Sequence, residues 1–175
     1  MKNLNATLTL IVLCLLMIAC AEIENKEFKK GKYAVFKAEP VKNLPEQLIY
    51  TDTSYIPIYS DIYTQTTNLQ IDLTATLSLR NTSFKHSIFI THVDYYNSAG
   101  DLDKNFVKKA IELKPMQTME YVIAEDHVSG GTGANFIVIW SAKSKNVNPL
   151  FESIMISTQN RQGISFTSRG VSIKN

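Results

Sequence analysis

The chain has 175 residues, with 18 lysines and arginines against 16 aspartates and glutamates, and a formal charge of +2 at pH 7. So small a net charge does not suggest nucleic acid or anionic lipid as a partner gathered by bulk electrostatics. Two cysteines in the whole chain rule out a disulfide-rich scaffold.

The first twenty residues, MKNLNATLTLIVLCLLMIAC, place one lysine before an apolar run from Leu8 to Ala19 broken only by Thr9. A basic start, a run of that length and a small residue at its end predict a secretory signal over residues 1–19. A spanning helix needs about 20 apolar residues, and polar residues resume too soon here. The ending Met17-Ile18-Ala19-Cys20 resembles the lipobox of bacterial lipoproteins, with methionine where leucine is usual. That resemblance implies cleavage before Cys20 and acylation of its thiol. Cys14 leaves with the signal, so acylation also accounts for the single remaining thiol. Lys2 leaves too, taking the charge from +2 (18 against 16) to +1 (17 against 16). Residues 20–50 then read as a tether: positions 21–50 hold five acids, six bases and two prolines. Lys29, Lys30 and Lys32 fall within it as solvated linker charges.

Residues 51–175 are enough for one core. Tyr55–Tyr63 predicts a strand, and Pro57 places it at an edge. In residues 69–81 (LQIDLTATLSLRN), six apolar residues from Leu69 to Leu79 alternate strictly with polar ones, predicting a strand with one dry face. Ser87–Tyr96 is apolar at both parities and predicts a central strand. Phe106–Leu113 and Met119–Ile123 flank a turn at Lys114-Pro115. Phe136–Trp140 is rich in strand formers, and Leu150–Ser157 and Ile164–Ser168 close the chain. Turn chemistry separates these runs, and none has helical periodicity. The expected fold is all-β: an antiparallel sandwich of immunoglobulin- or fibronectin-like kind with about eight strands.

The segments YIPIYSDIY, LTATLSLRNT, VDYYNSAG, SGGTGANFIVIW, VNPLFESIMI and QGISFTSRG, in that order, resemble the bacterial lipoprotein family known as domain of unknown function 3124. The resemblance runs from Tyr55 to Gly170 and implies a small envelope lipoprotein. It implies no activity, ligand or catalytic residue.

Several clusters invite chemistry. Gly130, Gly131 and Gly133 follow Glu125, Asp126 and His127, as in a phosphate cradle. Such a cradle needs a helix behind it and commonly a lysine, whereas ANFIVIW follows and the next lysine is Lys143. A strand entry using the conformational freedom of glycine is expected instead. Asp101, Asp103 and Asn105 open like a calcium loop with Glu112 at the twelfth place, but Phe106 stands where that loop needs glycine. A polar hairpin turn explains them. His92 and Asp94 share a strand face and, with Asp126 and His127, are the candidate metal ligands; His86 is the third histidine. Neither HExxH nor CxxC occurs. Gly163-Ile164-Ser165 continues into Phe166, so there is no nucleophile elbow. Tyr55, Tyr59 and Tyr63 form an aromatic row that could bind a sugar or protein, unless Tyr33 or Phe36 of the tether covers it.

The function expected from these residues is a non-catalytic, lipid-anchored lipoprotein of the cell envelope whose sandwich binds a protein or glycan. No cofactor and no nucleic-acid partner are expected. Ala21, where an aspartate would retain some lipoproteins in the inner membrane, favours the outer membrane. The alternative is a metal-dependent enzyme or metal-binding factor built on His92, Asp94 and the Glu125–His127 loop.

Overall fold

The structure, a computed structural model, describes residues 37–127, 129–159 and 163–173. They lie in the second of the chain's two compact units, Phe36–Asn175. The signal, Cys20, Tyr33 and Phe36 fall outside the described residues.

Among the described residues twelve strands run in chain order: β1 (Tyr50–Pro57), β2 (Asp61–Thr64), β3 (Thr66–Asp72), β4 (Thr74–Arg80), β5 (Ile88–Tyr96) and β6 (Leu102–Asn105), then β7 (Ile111–Leu113), β8 (Thr118–Ile123), β9 (Asn135–Ala142), β10 (Leu150–Ser157), β11 (Ile164–Arg169) and β12 (Val171–Ser172). All pairings are antiparallel. One sheet has the order β12-β1-β9-β5-β6, with β7 taking over the outer edge of β5 where β6 leaves it. The other has the order β11-β10-β4-β8, and β2 and β3 pair with each other alone. This is the expected all-β antiparallel sandwich.

The core is what the alternation demands. Leu73, Ala75, Leu77 and Leu79 enter it from β4 and its lead-in, and Phe136, Val138 and Trp140 enter it from β9. Burying one such leucine contributes about 1.5–3 kcal/mol. Tyr50 and Phe151 pack on the Trp140 ring, with centroids 5.4 and 6.3 Å away.

The structure departs from the sequence-based strands at several points. Residues 69–81 form two strands. Up to Asp72 the chain pairs with β2; then the Leu73 amide donates to the Ser60 carbonyl (2.8 Å) and the chain crosses into the second sheet. The sequence alternation runs unbroken through the switch and does not reveal it, but Leu69 is exposed and Ile71 half-buried, so the dry face begins only at Leu73. Tyr55–Tyr63 is likewise split after Pro57, and Ile58 to Ser60 turn the chain into the β2–β3 ribbon. The proline sits beyond the reach of β12, which ends opposite Tyr55, so β1 is an edge at that point although β9 flanks its other side.

The double-sided apolar look of β5 has two sources: Ile88, Phe89 and Ile90 are all buried in this interior strand, and a bulge follows them. Ile90 pairs with Trp140 and His92 with Ile139, which shifts the buried set from Ile88 and Ile90 to Val93 and Tyr95. Phe106–Leu113 pairs as a strand only from Ile111 onward, and Leu102–Asn105, expected as a turn, pairs with β5. Residues 38–41, within the expected tether, lie along β7: Pro40 bridges to Ile111 and the Val41 amide donates to the Ala110 carbonyl (2.8 Å).

Candidate functional site

The glycine-rich segment leads into β9, a strand flanked on both sides by β1 and β5. Its backbone is tied to the neighbouring loops. The Ser98 amide and hydroxyl both donate to the Gly130 carbonyl (2.9 Å each), the Gly133 amide donates to the Ser98 hydroxyl (2.7 Å), and the Ser60 amide donates to the Gly131 carbonyl (3.2 Å). Gly131 has a φ of +72°, the left-handed region that glycine enters without penalty. Gly130 is glycine for a different reason. A Cβ there would lie 1.8 Å from the Tyr95 hydroxyl and 2.2 Å from that of Ser60, and these two hydroxyls hydrogen-bond each other at 2.7 Å. The expected strand entry is what the structure has, and no α-helix follows among the described residues.

At the mouth of this loop three side chains meet. His127 Nε2 lies 2.5 Å from Asp103 Oδ2 and 3.0 Å from Ser129 Oγ, and Ser129 Oγ donates to the same Asp103 oxygen at 3.0 Å. Asp103 projects from β6 and His127 from the loop before β9, so the contact fastens the β5–β6 hairpin to the glycine segment. The imidazole also packs near the Tyr95 ring (centroids 6.0 Å apart). The His127 hydrogen bond, aided by Ser129, holds the Asp103 carboxyl below the usual carboxylate range. Burial pushes the Tyr95 phenol above its ordinary value.

Serine, histidine and aspartate are the residue types of a hydrolytic relay, but the geometry is not that of one. A relay sets the carboxylate on one ring nitrogen and the hydroxyl on the other. Here both partners face Nε2. At 2.5 Å from a carboxylate that nitrogen must carry its proton, so it has no lone pair with which to take the proton of Ser129. The hydroxyl proton is in any case directed at Asp103. The arrangement is a three-way clasp.

The other sequence candidates are dispersed. His92 is exposed beyond the β5 bulge, with Nδ1 3.1 Å from the Thr91 hydroxyl. Asp94 accepts from Asn105 Nδ2 (2.5 Å), Glu125 accepts from Gln159 Nε2 (2.5 Å), and Asp126 is exposed. His127 thus meets Asp103 rather than His92 or Asp94. Among the described residues no group of three or more His, Cys, Asp or Glu side chains is placed to hold a metal ion. The calcium-like run belongs to strand β6, and the Phe106 amide at its sixth place donates to the Val93 carbonyl (2.9 Å). Ser165 lies on β11, opposite Ile156.

The tyrosine row is distributed over three elements. Tyr55 lies on β1, and Tyr59 on the link after it, half-buried against the edge of Phe166 (5.7 Å). Tyr63 is 58% exposed on β2. Sequence reasoning passed over Ser60, Tyr95 and Ser129. The one usable signal was Tyr95 itself, an inward-facing phenol that has to find a partner when buried.

Comparison with known proteins adds a family and little else. The family described as Protein of unknown function (DUF3124) matches residues 51–173. No curated protein matches. A solved structure titled "Crystal Structure of Thermotoga maritima 1070" is similar at 11% identity, with 69% of this chain and 92% of that chain covered and a TM-score of 0.39.

Proposed function

The chain belongs to the DUF3124 family, and from there we propose that it is a non-catalytic, lipid-anchored lipoprotein of the cell envelope whose β-sandwich binds a protein or glycan partner. The observation that carries the non-catalytic part is the clasp at His127, whose Nε2 faces both Asp103 and Ser129. Both partners meet one ring nitrogen, an arrangement that joins two loops and is not the hydroxyl–imidazole–carboxylate order of a hydrolytic relay. The anchored part is supported by the sequence, in which Met17-Ile18-Ala19-Cys20 closes a signal-like run. Ala21 favours the outer membrane.

Fractionating cells that make the chain or its Cys20→Ser variant, with membranes washed at high salt to strip peripheral contacts, tests the anchor: the first should pellet with membranes and the second should be released. A Cys20→Ser protein that resists a high-salt wash and stays with the membrane would defeat it. Crosslinking in intact cells, followed by identification of the captured species, tests the binding role. A Ser129→Ala or His127→Ala variant that captures the same species at the same yield is the expected result. Loss of a measurable hydrolytic activity in Ser129→Ala would contradict the reading.

A further inference from the structure

The two ends of the sandwich differ in charge. At the end where β4, β7 and β9 finish, the loops 81–87, 114–117 and 143–149 hold Lys85, Lys114, Lys143 and Lys145, together with His86, and contain no carboxylate. All four lysines are exposed, and none pairs with a carboxylate among the described residues. The opposite end carries Asp61, Asp72, Asp101, Asp103, Glu125 and Asp126, with Lys104 as a cation among them. Glu112, on β7, is half-buried beside Lys85 and Lys143.

Large apolar side chains stand out from the same basic end. Phe84 is 82% exposed, Ile49 61% and Met116 58%. Their backbones belong to one surface: the Met116 amide donates to the Ser83 carbonyl (3.2 Å), and the Ile49 amide donates to the carbonyl of Ala142, which precedes Lys143 (3.1 Å). Met116 occupies the third place of a Pro115 turn closed by the Gln117 amide on the Lys114 carbonyl (3.1 Å), with a φ of +61°. Glycine is the ordinary residue there. Methionine instead holds a strained backbone and turns an apolar side chain to solvent.

The surface is also firmly built. Buried Asn81 donates through Nδ2 to the carbonyls of His86 (2.8 Å), Leu113 (2.9 Å) and Lys114 (3.0 Å), and Thr82 Oγ1 donates to the Asn148 carbonyl (2.5 Å). These bonds lock the three loops to one another.

The chain enters the domain at this end. Pro40 bridges antiparallel to Ile111, so Ala38 and Lys37 run toward Leu113 and the Lys114 turn. Between Cys20 and Lys37 lie 16 residues, with a reach of at most about 55 Å. The entering segment 37–49 carries two lysines and two glutamates and leaves the polarity unchanged.

We propose that this end docks on the membrane, with Phe84, Met116 and Ile49 seated at the headgroup level and the four loop lysines on anionic phosphates. Apolar side chains rimmed by lysines are the chemistry of an interfacial lipid contact. Docking directs the acidic, glycine-rich end away from the bilayer. The inference rests on the lipid-anchored reading above and adds an orientation to it.

The test uses the mature acylated chain in phosphatidylethanolamine–phosphatidylglycerol vesicles. Acylation blocks Cys20 and signal removal takes Cys14, so an introduced cysteine is the sole thiol for an environment-sensitive dye. Dye on Asn146→Cys should shift to the blue and be quenched by nitroxide lipids, while dye on Ala99→Cys stays in water. The Phe84→Ser/Met116→Ser double variant should lose the shift. Without the anchor, the Cys20→Ser chain should partition onto the same vesicles, about fivefold more weakly for each loop lysine changed to glutamine, with arginine restoring it. Equal binding to phosphatidylcholine vesicles, or lysine variants that partition alike, would overturn the proposal. So would an acylated protein whose Asn146 dye remains in water. If the mass shows no acyl group, the anchored reading fails, and partition of the unmodified chain still decides on the docking surface.

Discussion

Replacing Gly130 by alanine should be among the most damaging single-methyl changes available in this domain. The new Cβ would fall 1.8 Å from Tyr95 Oη, 2.2 Å from Ser60 Oγ and 3.0 Å from Tyr95 Cζ. The two hydroxyls must part, which removes a hydrogen bond worth about 0.5–1.5 kcal/mol and leaves a buried phenol unpaired at about 1–3 kcal/mol. Tyr95 is fully buried between Phe136 and His127, so displacing its ring adds overpacking strain of about 1–3 kcal/mol. Together these give a destabilisation of about 3–5 kcal/mol, toward the upper end for a point substitution. Urea unfolding of the mature chain reads it as a lower midpoint at unchanged slope.

The background matters for this experiment. Tyr95→Phe removes the closest clashing atom, and the serine hydroxyl that remains can rotate. Gly130→Ala in Tyr95→Phe should therefore cost at least about 1 kcal/mol less than in the native chain. Gly163→Ala, with nothing within 4 Å of its Cβ, is the control and should stay within about 0.5 kcal/mol of native. A Gly130→Ala protein as stable as the Gly163→Ala control would refute the close-approach explanation of this glycine.

Two other perturbations follow from the same geometry. The Asp103 carboxyl is held low in the folded state, so its contribution is fully present above the unfolded value near 3.9 and is lost as pH falls through the lower folded value. Urea midpoints taken downward from neutral pH should show Asp103→Asn and His127→Ala destabilised at pH 7 and flatter below pH 4, whereas a native-like slope would remove the clasp from the acid response. Tyr121 is packed against Phe106 (4.9 Å), and burial pushes its phenol up to about 12. In a titration of tyrosinate absorbance, Tyr121→Phe should lose the step at that pH, and a variant that keeps it would show that another phenol is responsible.

Much of the sandwich was legible because period-two patterning reports directly on which face is dry. Leu73 to Leu79 and Phe136 to Trp140 are inward where alternation put them. Breaks in partnership left no such trace. Leu73 keeps its place in the alternation while the chain changes sheets, and the β5 bulge at Thr91 moves the buried parity from Ile88 and Ile90 to Val93 and Tyr95. The site was legible only in part, for a similar reason. Glycine spacing and the absence of a helix pointed to a strand entry, but Gly130 is dictated by Tyr95 and Ser60, which are distant in sequence and near in space. His127 was a candidate on type alone. Its partner Asp103 lies 24 residues away across a hairpin and was grouped with a calcium-like run instead. The charge polarity of the sandwich was hidden because its lysines come from three separate loops, and a net charge of +2 averages them against the acidic end.

The most direct measurement of the lipid-anchored reading is the intact mass of the protein extracted from membranes, with fragmentation of its N-terminus. The expected result is a chain that begins at Cys20 and carries the added mass of acyl groups on that residue. A mature chain that begins elsewhere, or one that begins at Cys20 with an unmodified thiol, would contradict it.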